Sequence, residues 1–420
     1  MPIIDWMYEF GNFRRFTQTA LATLPSDIDS ERLESVLQAV LDAHDMLRSQ
    51  LGDRLVSRAP GAVRAADILT RVPAPDFESA LVEGARAAID RIDPAAGRMV
   101  QAVWFERPDA DDILLLTIHH LATDAVSWHV LFADLADAAA QTGSPKVLPE
   151  FTSYRRWAQL LGERAASAEV GAQQDYWIAQ VKEADPVIGD RLPDPATDTW
   201  AALQVTTAPT SIATTRLLLD RVTKEVGVRE YLLTALSQTI AQWRVEGGHD
   251  PGAGTLIAME GHGREDELLG ADTAQTVGWF TSVYPVRLGG DLESVTAQIA
   301  QIPNNGLDYG LLRYGLRVPE LVAAQPPQIE FNYLGRFDLA GANEAPWAPI
   351  TDLALNKLLP LDPEPDLPLR YTLDVAAAIQ PTADGPQLVT TWRWSDALFS
   401  ADRAKRLAEI WSRALEGLVQ

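Results

Sequence analysis

Two adjacent histidines, His119 and His120, end the apolar run LLLTIHH, and Asp124 follows four residues after the second. The chain holds only six histidines, at positions 44, 119, 120, 129, 249 and 262. Such a pair concentrates the one side chain whose ordinary pKa, roughly 6.5, suits proton transfer near neutrality. At a strand-to-loop junction an imidazole can face a cleft and act as general acid or base. The same pair can equally serve packing and hydrogen bonding. As metal ligands the two fall short, with no HExxH spacing and no thiolate in the chain. Ser127 is conceivable as a nucleophile beside His120, but it reads more simply as a first-turn residue of a helix capped by Asp124, and no GxSxG elbow occurs.

The second candidate is Glu260, which opens EGHGRE directly after the apolar strand TLIAM. Gly261 and Gly263 permit close backbone approach or positive φ, and a carboxyl group against apolar walls has its pKa raised toward proton-transfer use. A surface ion pair between Glu260 and Arg264 explains the same string. It is no nucleotide loop, since GxGxxG fails at its third glycine. Three further strings mix aromatics with glycine: TVGWFTSVYPVRL at 276–288, PNNGLDYG at 303–310 and FNYLGRF at 331–337. Each can line a pocket or simply fill the core.

These residues need elements to hold them. Helical spacing of Leu33, Val36, Leu37, Val40, Leu41 and Leu47 predicts a helix capped by Asp29 or Ser30, and a second helix is expected over 76–92. Met99 to Phe105 and Ile113 to Ile118, joined by RPDADD, predict a hairpin ending at the His pair. Asp124 then caps a helix, and one or more helices follow over 153–181. The proline- and aspartate-rich DPVIGDRLPDPATD at 185–198 is the best linker, placing a boundary between residues 1–184 and 185–420. Beyond it we expect a strand at 214–219, a helix at 228–243, strands at 255–259, 280–288, 329–333, 371–379 and 387–394, and a helix at 400–418. Two αβ lobes with a ligand cleft between them follow from that layout.

Composition narrows the function classes. The 420 residues carry 35 Lys plus Arg against 58 Asp plus Glu, a formal charge of -23, which repels nucleic acid and anionic membranes. Zero cysteines exclude disulfides, Fe–S clusters and a Cys nucleophile. The acidic start and the lack of an apolar run of membrane length predict a soluble, cytoplasmic protein.

Taken together and in order, HHLATDAVSW, EGHGRE, TVGWFTSVYP, PNNGLDYG and FNYLGRF closely resemble the signature motifs of the epimerization domains of nonribosomal peptide synthetases, in the condensation-domain superfamily. PIIDWMYE resembles a divergent first motif, with Ile4 and Met7 where Gln and Phe are expected. The resemblance implies an α/β fold of two chloramphenicol-acetyltransferase-like lobes arranged as a V-shaped pseudo-dimer with a central tunnel. It implies epimerization of Cα in an L-aminoacyl or peptidyl thioester, with His120 and Glu260 as the acid/base groups and Asp124 as a structural residue. His119, Asn332 and Tyr333 are implied as supporting groups, and Trp279 and Tyr309 as cleft residues. No metal and no bound cofactor are implied, because the phosphopantetheine arm arrives on a peptidyl carrier protein; neighbouring synthetase domains are the other expected partners. Met1 directly before the first motif, and the lack of a carrier serine motif, lead us to expect an isolated domain. Ala125, His129 and Gln275 depart from the family pattern without altering the reaction class. An amide-forming condensation domain and a catalytically silent carrier-docking module are the alternatives.

Overall fold

Seven consecutive buried residues, Ile113–His119, make the strand that delivers the His pair. Burial on both faces suits an interior strand, and this computed structural model places it inside a four-stranded sheet. Residues 10, 12, 337–344, 351 and 361–362 lie outside the described part of the chain, so the end of FNYLGRF is not placed. In the first half the strands are β1 (Thr17–Thr23), a small hairpin of β2 (Ser49–Leu51) and β3 (Leu55–Ser57), β4 (Leu69–Pro73), β5 (Val100–Glu106) and β6 (Ile113–His119). The main sheet runs β1-β6-β5-β4, with β5 and β6 antiparallel as the hairpin reading expects. Helix Phe77–Arg91 covers one face with Leu81, Ala85 and Ala88 against Val103, Phe105 and Leu115.

A six-stranded mixed sheet forms from the second half: β7 (Leu203–Pro209), β8 (Thr255–Gly261), β9 (Ser282–Leu288), β10 (Ile329–Arg336), β11 (Leu373–Thr382) and β12 (Gly385–Ser395), in the order β7-β12-β11-β10-β8-β9. β10 is parallel to both neighbours, Glu330 standing opposite Ala258 of β8 and Asp374 of β11, while Asp374 stands opposite Arg393 of β12. Side chains alternate along each strand, so two unlike faces result. Ile257, Met259, Ile329, Phe331, Val375 and Trp392 are buried on one, where Trp392 meets Trp411 of helix Ala401–Val419 edge to face at 6.4 Å. The opposite face carries Glu260, Glu330, Asn332, Asp374 and Arg393.

Most expected elements are present, with corrections. The strand expected at 214–219 is helix Ile212–Arg221, which Ser211 caps by accepting from the Thr214 amide. A short run such as Leu217 to Leu219 has no readable period, and only Leu218 of the three is fully buried. Strands β4 and β7 escape the sequence reading, being sheet-edge segments of interrupted hydrophobicity. The long helical region at 153–181 divides into Tyr154–Ala165, Ala168–Gly171 and Gln174–Val181. The halves also exchange chain: Trp347 and Ile350 donate their amides to the Thr23 and Leu21 carbonyls, adding a second-half segment to the β1 edge.

Candidate active site

β6 ends in His119, whose two ring nitrogens are both used by main chain. Nε2 donates to the Phe13 carbonyl at 2.7 Å, and Nδ1 accepts from the Leu121 amide at 3.1 Å. Burial lowers its pKa to about 4, so this imidazole is neutral and holds the loop. His120 stacks on Phe16 with ring centroids 5.0 Å apart and meets Trp279 at 4.3 Å. Its Nε2 lies 3.0 Å from Nε2 of Gln18, which stands on β1. Trp128 donates to Gln18 Oε1 at 2.8 Å, turning the amide so that its NH2 faces the ring. His120 Nε2 therefore accepts from the Gln18 NH2, and the ring carries its proton on Nδ1. Burial lowers its pKa, outweighing the His120 and Thr123 carbonyls and the Asp124 charge, which favours the neutral ring. The sequence reading missed Gln18, since only the β1–β6 pairing brings it to the imidazole.

Asp124 caps helix Ala125–Ala140 and also latches the two halves together. Oδ1 accepts from the Ser127 amide and hydroxyl, each at 2.8 Å, and Oδ2 accepts from the Phe280 amide at 3.1 Å. Arg264 completes the latch: Nη2 is 3.1 Å from Asp124 Oδ1, and Nη1 donates to the Thr273 and Thr276 carbonyls at 2.9 and 2.8 Å. Its guanidinium lies 3.9 Å over the Phe280 ring. The surface pair between Glu260 and Arg264 is thus replaced by a buried one with Asp124. Ser127 accepts from the Gly278 amide at 3.1 Å and belongs to this network, not to nucleophilic chemistry. Two glycines make the close approach possible. Gly263 has φ +68°, and a Cβ there would fall 1.9 Å from the Phe280 carbonyl oxygen; one on Gly278 would fall 2.4 Å from Tyr154 Cδ2.

Glu260 leaves the end of β8 on the polar face of the large sheet, where Asn332 donates to its Oε2 at 2.6 Å. A cavity of about 290 Å³ opens there, lined by Glu260, Glu330, Asn332, Asp374 and Arg393, with Trp6, Phe13 and Phe16 among its apolar walls. Burial raises the Glu260 pKa and the Asp374 charge adds to this, against an interaction with Glu330 that lowers it. His120 does not line this cavity; Phe16, stacked on it, does. Arg370, whose pKa burial lowers to about 9, and Tyr371 line both this cavity and a second of about 120 Å³. Trp6, from helix Pro2–Tyr8, meets both Arg370 and Trp279, its ring centroid 3.4 Å from the guanidinium carbon and 6.2 Å from the Trp279 centroid, edge to face.

The remaining expected residues fall at different places. Tyr309 is buried against Trp177 at 5.2 Å and lines the second cavity. Tyr333 follows Asn332 on β10 and so belongs to the other side of the strand, outside both linings. Among the described residues no group of three or more His, Asp or Glu side chains is placed to hold a metal ion. No described helix is long and apolar enough to cross a membrane.

A further histidine supports the loop that covers His120. His44 is fully buried, with Nε2 2.7 Å from Asp134 and Nδ1 3.2 Å from Glu150, which also accepts from the Val277 amide at 3.2 Å. Burial opposes its charge, but the two carboxylates prevail and raise its pKa. A raised histidine contributes stability fully below its unfolded pKa of roughly 6.5 and loses it as pH rises through the folded value. We expect the melting temperature of the wild type to fall above about pH 6.5 relative to that of His44→Gln. Parallel melting curves between pH 6 and 9 would refute this.

A His-bearing sheet latched to a Glu-bearing one in a mixed α/β chain is the architecture of chloramphenicol-acetyltransferase-like condensation and epimerization domains. The chain belongs to the Condensation domain family, which it matches over residues 10–420. It is 31% identical over 450 residues to a chondramide synthase of Chondromyces crocatus, covering all of this chain and 11% of that protein. Tyrocidine synthase 1 of Brevibacillus parabrevis is 27% identical over 450 residues, covering all of this chain and 40% of the relative. The chain therefore spans less than half the length of either synthase. Among solved structures, the epimerization domain from the third module of tyrocidine synthetase B has a TM-score of 0.79 at 26% identity, covering 100% of this chain and 95% of that one. The SgcC5 protein from Streptomyces globisporus, at 17% identity and a TM-score of 0.71 with 100% and 98% covered, shares the fold.

Proposed function

We propose that this domain inverts the Cα of an L-aminoacyl or peptidyl thioester carried on the phosphopantetheine arm of a peptidyl carrier protein. The observation that carries this reading is Glu260, half-buried in a cavity wall with its pKa raised by desolvation, while His120 from the other half of the chain stacks on Phe16, which lines the same cavity. Inversion requires one group to take the α-proton from one face and another to deliver a proton to the opposite face. A carboxyl group with raised pKa can take or give that proton near pH 7, and the group on the opposite face must hold the proton that Glu260 lacks. The thioester carbonyl takes up the charge released at Cα, so the domain's own groups need only move protons and position the acyl chain. The apolar walls formed by Trp6, Phe13 and Phe16 suit exclusion of water from that step.

On the same reading, residues 1–184 and 185–420 form two lobes of a V around a tunnel for the arm. The boundary is supported by Asp185, whose carboxylate is anchored in the second half by Arg244 at 2.8 Å and Arg287 at 2.5 Å. The test is incubation with a loaded carrier in deuterated water, followed by mass spectrometry and chiral analysis. We expect α-deuterium and a mixture of L and D acyl groups. A new amide bond between two loaded carriers, without inversion, would replace epimerization with condensation; binding without exchange would leave a docking module.

A further inference from the structure

Glu330 lies beside Glu260 in the cavity wall, yet no signature string marks it. β8 and β10 run parallel with Glu330 opposite Ala258, two residues before Glu260 on the same face. Glu330 and Glu260 line the same cavity wall, close enough that each perturbs the other's titration. Two carboxylates so placed repel when both are ionised, so one keeps its proton and can donate it to the other. The neighbours decide which. Asn332 donates to Glu260 Oε2 at 2.6 Å, which favours charge on Glu260. Glu330 instead faces Asp374 across the β10–β11 register, a like charge. Among the described residues, the cations acting on this face are Arg393, held by Asp374 at 3.1 Å, and Arg370, which acts on Glu330 from the segment before β11 beside Tyr371.

We propose that Glu330 is a positioning residue for Glu260: it retains a proton, donates it in a hydrogen bond to the Glu260 carboxylate, and so holds that carboxylate ionised and oriented toward the cavity. The inference rests on Glu260 being a proton-transfer group of the proposed reaction. Burial, together with the Glu260 and Asp374 charges, pushes the Glu330 pKa well above the usual carboxylate range. The pair is one coupled acid that loses two protons in separate steps. Only the singly ionised form has both a base and its donor.

The experiment has two arms on the intact chain. In the first, side-chain carboxyl groups of ¹³C-glutamate-labelled protein are titrated by NMR, with Glu260→Gln and Glu330→Gln assigning the pair. We expect two steps separated by at least about two pH units, the upper one above about pH 6. In the second, α-proton exchange is followed against pH. Glu330→Gln, whose amide still donates, should stay within about threefold of the wild type and lose the alkaline limb of the profile. Glu330→Ala should fall about tenfold at pH 7 and shift the acidic limb upward by about one unit, since the carboxylate loses a donor. Independent titration of both groups near about 4.3, or an unshifted profile in Glu330→Ala, would overturn the proposal. Should the alanine variant not fold, the wild-type titration and the glutamine variant decide it. Absence of exchange by the wild type at every pH would instead sink the proposed reaction, leaving the NMR arm to judge the pair.

Discussion

Glu260→Gln is expected to lower α-proton exchange by about 10²- to 10⁴-fold, the usual range for removing a positioned acid or base. Glutamine preserves the volume and still accepts from Asn332, so the cavity wall formed by β8 and β10 stays in place. What disappears is a group able to take and return a proton. The wild-type rate should fall as pH drops through the raised pKa of Glu260, because a protonated carboxyl is no base; the variant should lose that limb. Deuterium uptake by the carrier-bound acyl group, read by mass spectrometry with carrier binding measured in parallel, checks the result. A variant within tenfold of the wild type would remove Glu260 from the reaction.

The second large effect is expected at Arg264. Its guanidinium is buried, ion-paired with buried Asp124 and stacked over Phe280. Arg264→Met leaves the Asp124 carboxylate uncompensated, and breaking a buried pair from one side costs about 3–5 kcal/mol. Lysine should restore little, since a single ammonium cannot reproduce a planar fork that reaches Asp124 and two carbonyls at once. Activity should decline with stability, because the latch fixes the loop bearing Trp279 against His120. Urea unfolding of Arg264→Met, Arg264→Lys and the wild type checks this. A loss under about 1 kcal/mol would show that the latch is not a principal support.

The candidate site was partly legible before folding was considered. The cap by Asp124, the strand ending at the His pair and the glycine requirement at 263 are local features, written in adjacent residues and obeying backbone geometry. The strand bearing Glu330 and Asn332 was legible too, but its polar side was not. An apolar-polar alternation such as IEFNY reads as a strand with one face in solvent, and nothing local says that this face lines a cavity. The same limit hid Gln18, an ordinary polar residue in β1 until β6 pairs with it. The Leu217 to Leu219 run failed for the opposite reason, being too short to show any period.

By itself, then, the sequence determined which side chains can exchange protons and which loops carry them, because capping, strand termination and positive φ depend on neighbours in the chain. The tertiary structure decided their partners: Gln18 for His120, Arg264 for Asp124, and Asn332 and Glu330 for Glu260. Asn332 and Glu260 stand 72 residues apart, and Arg264 and Asp124 stand 140 apart. Pairing at such range is set by strand register and by which sheet faces meet, and burial in that arrangement shifts the protonation of groups that would titrate ordinarily in an unfolded chain.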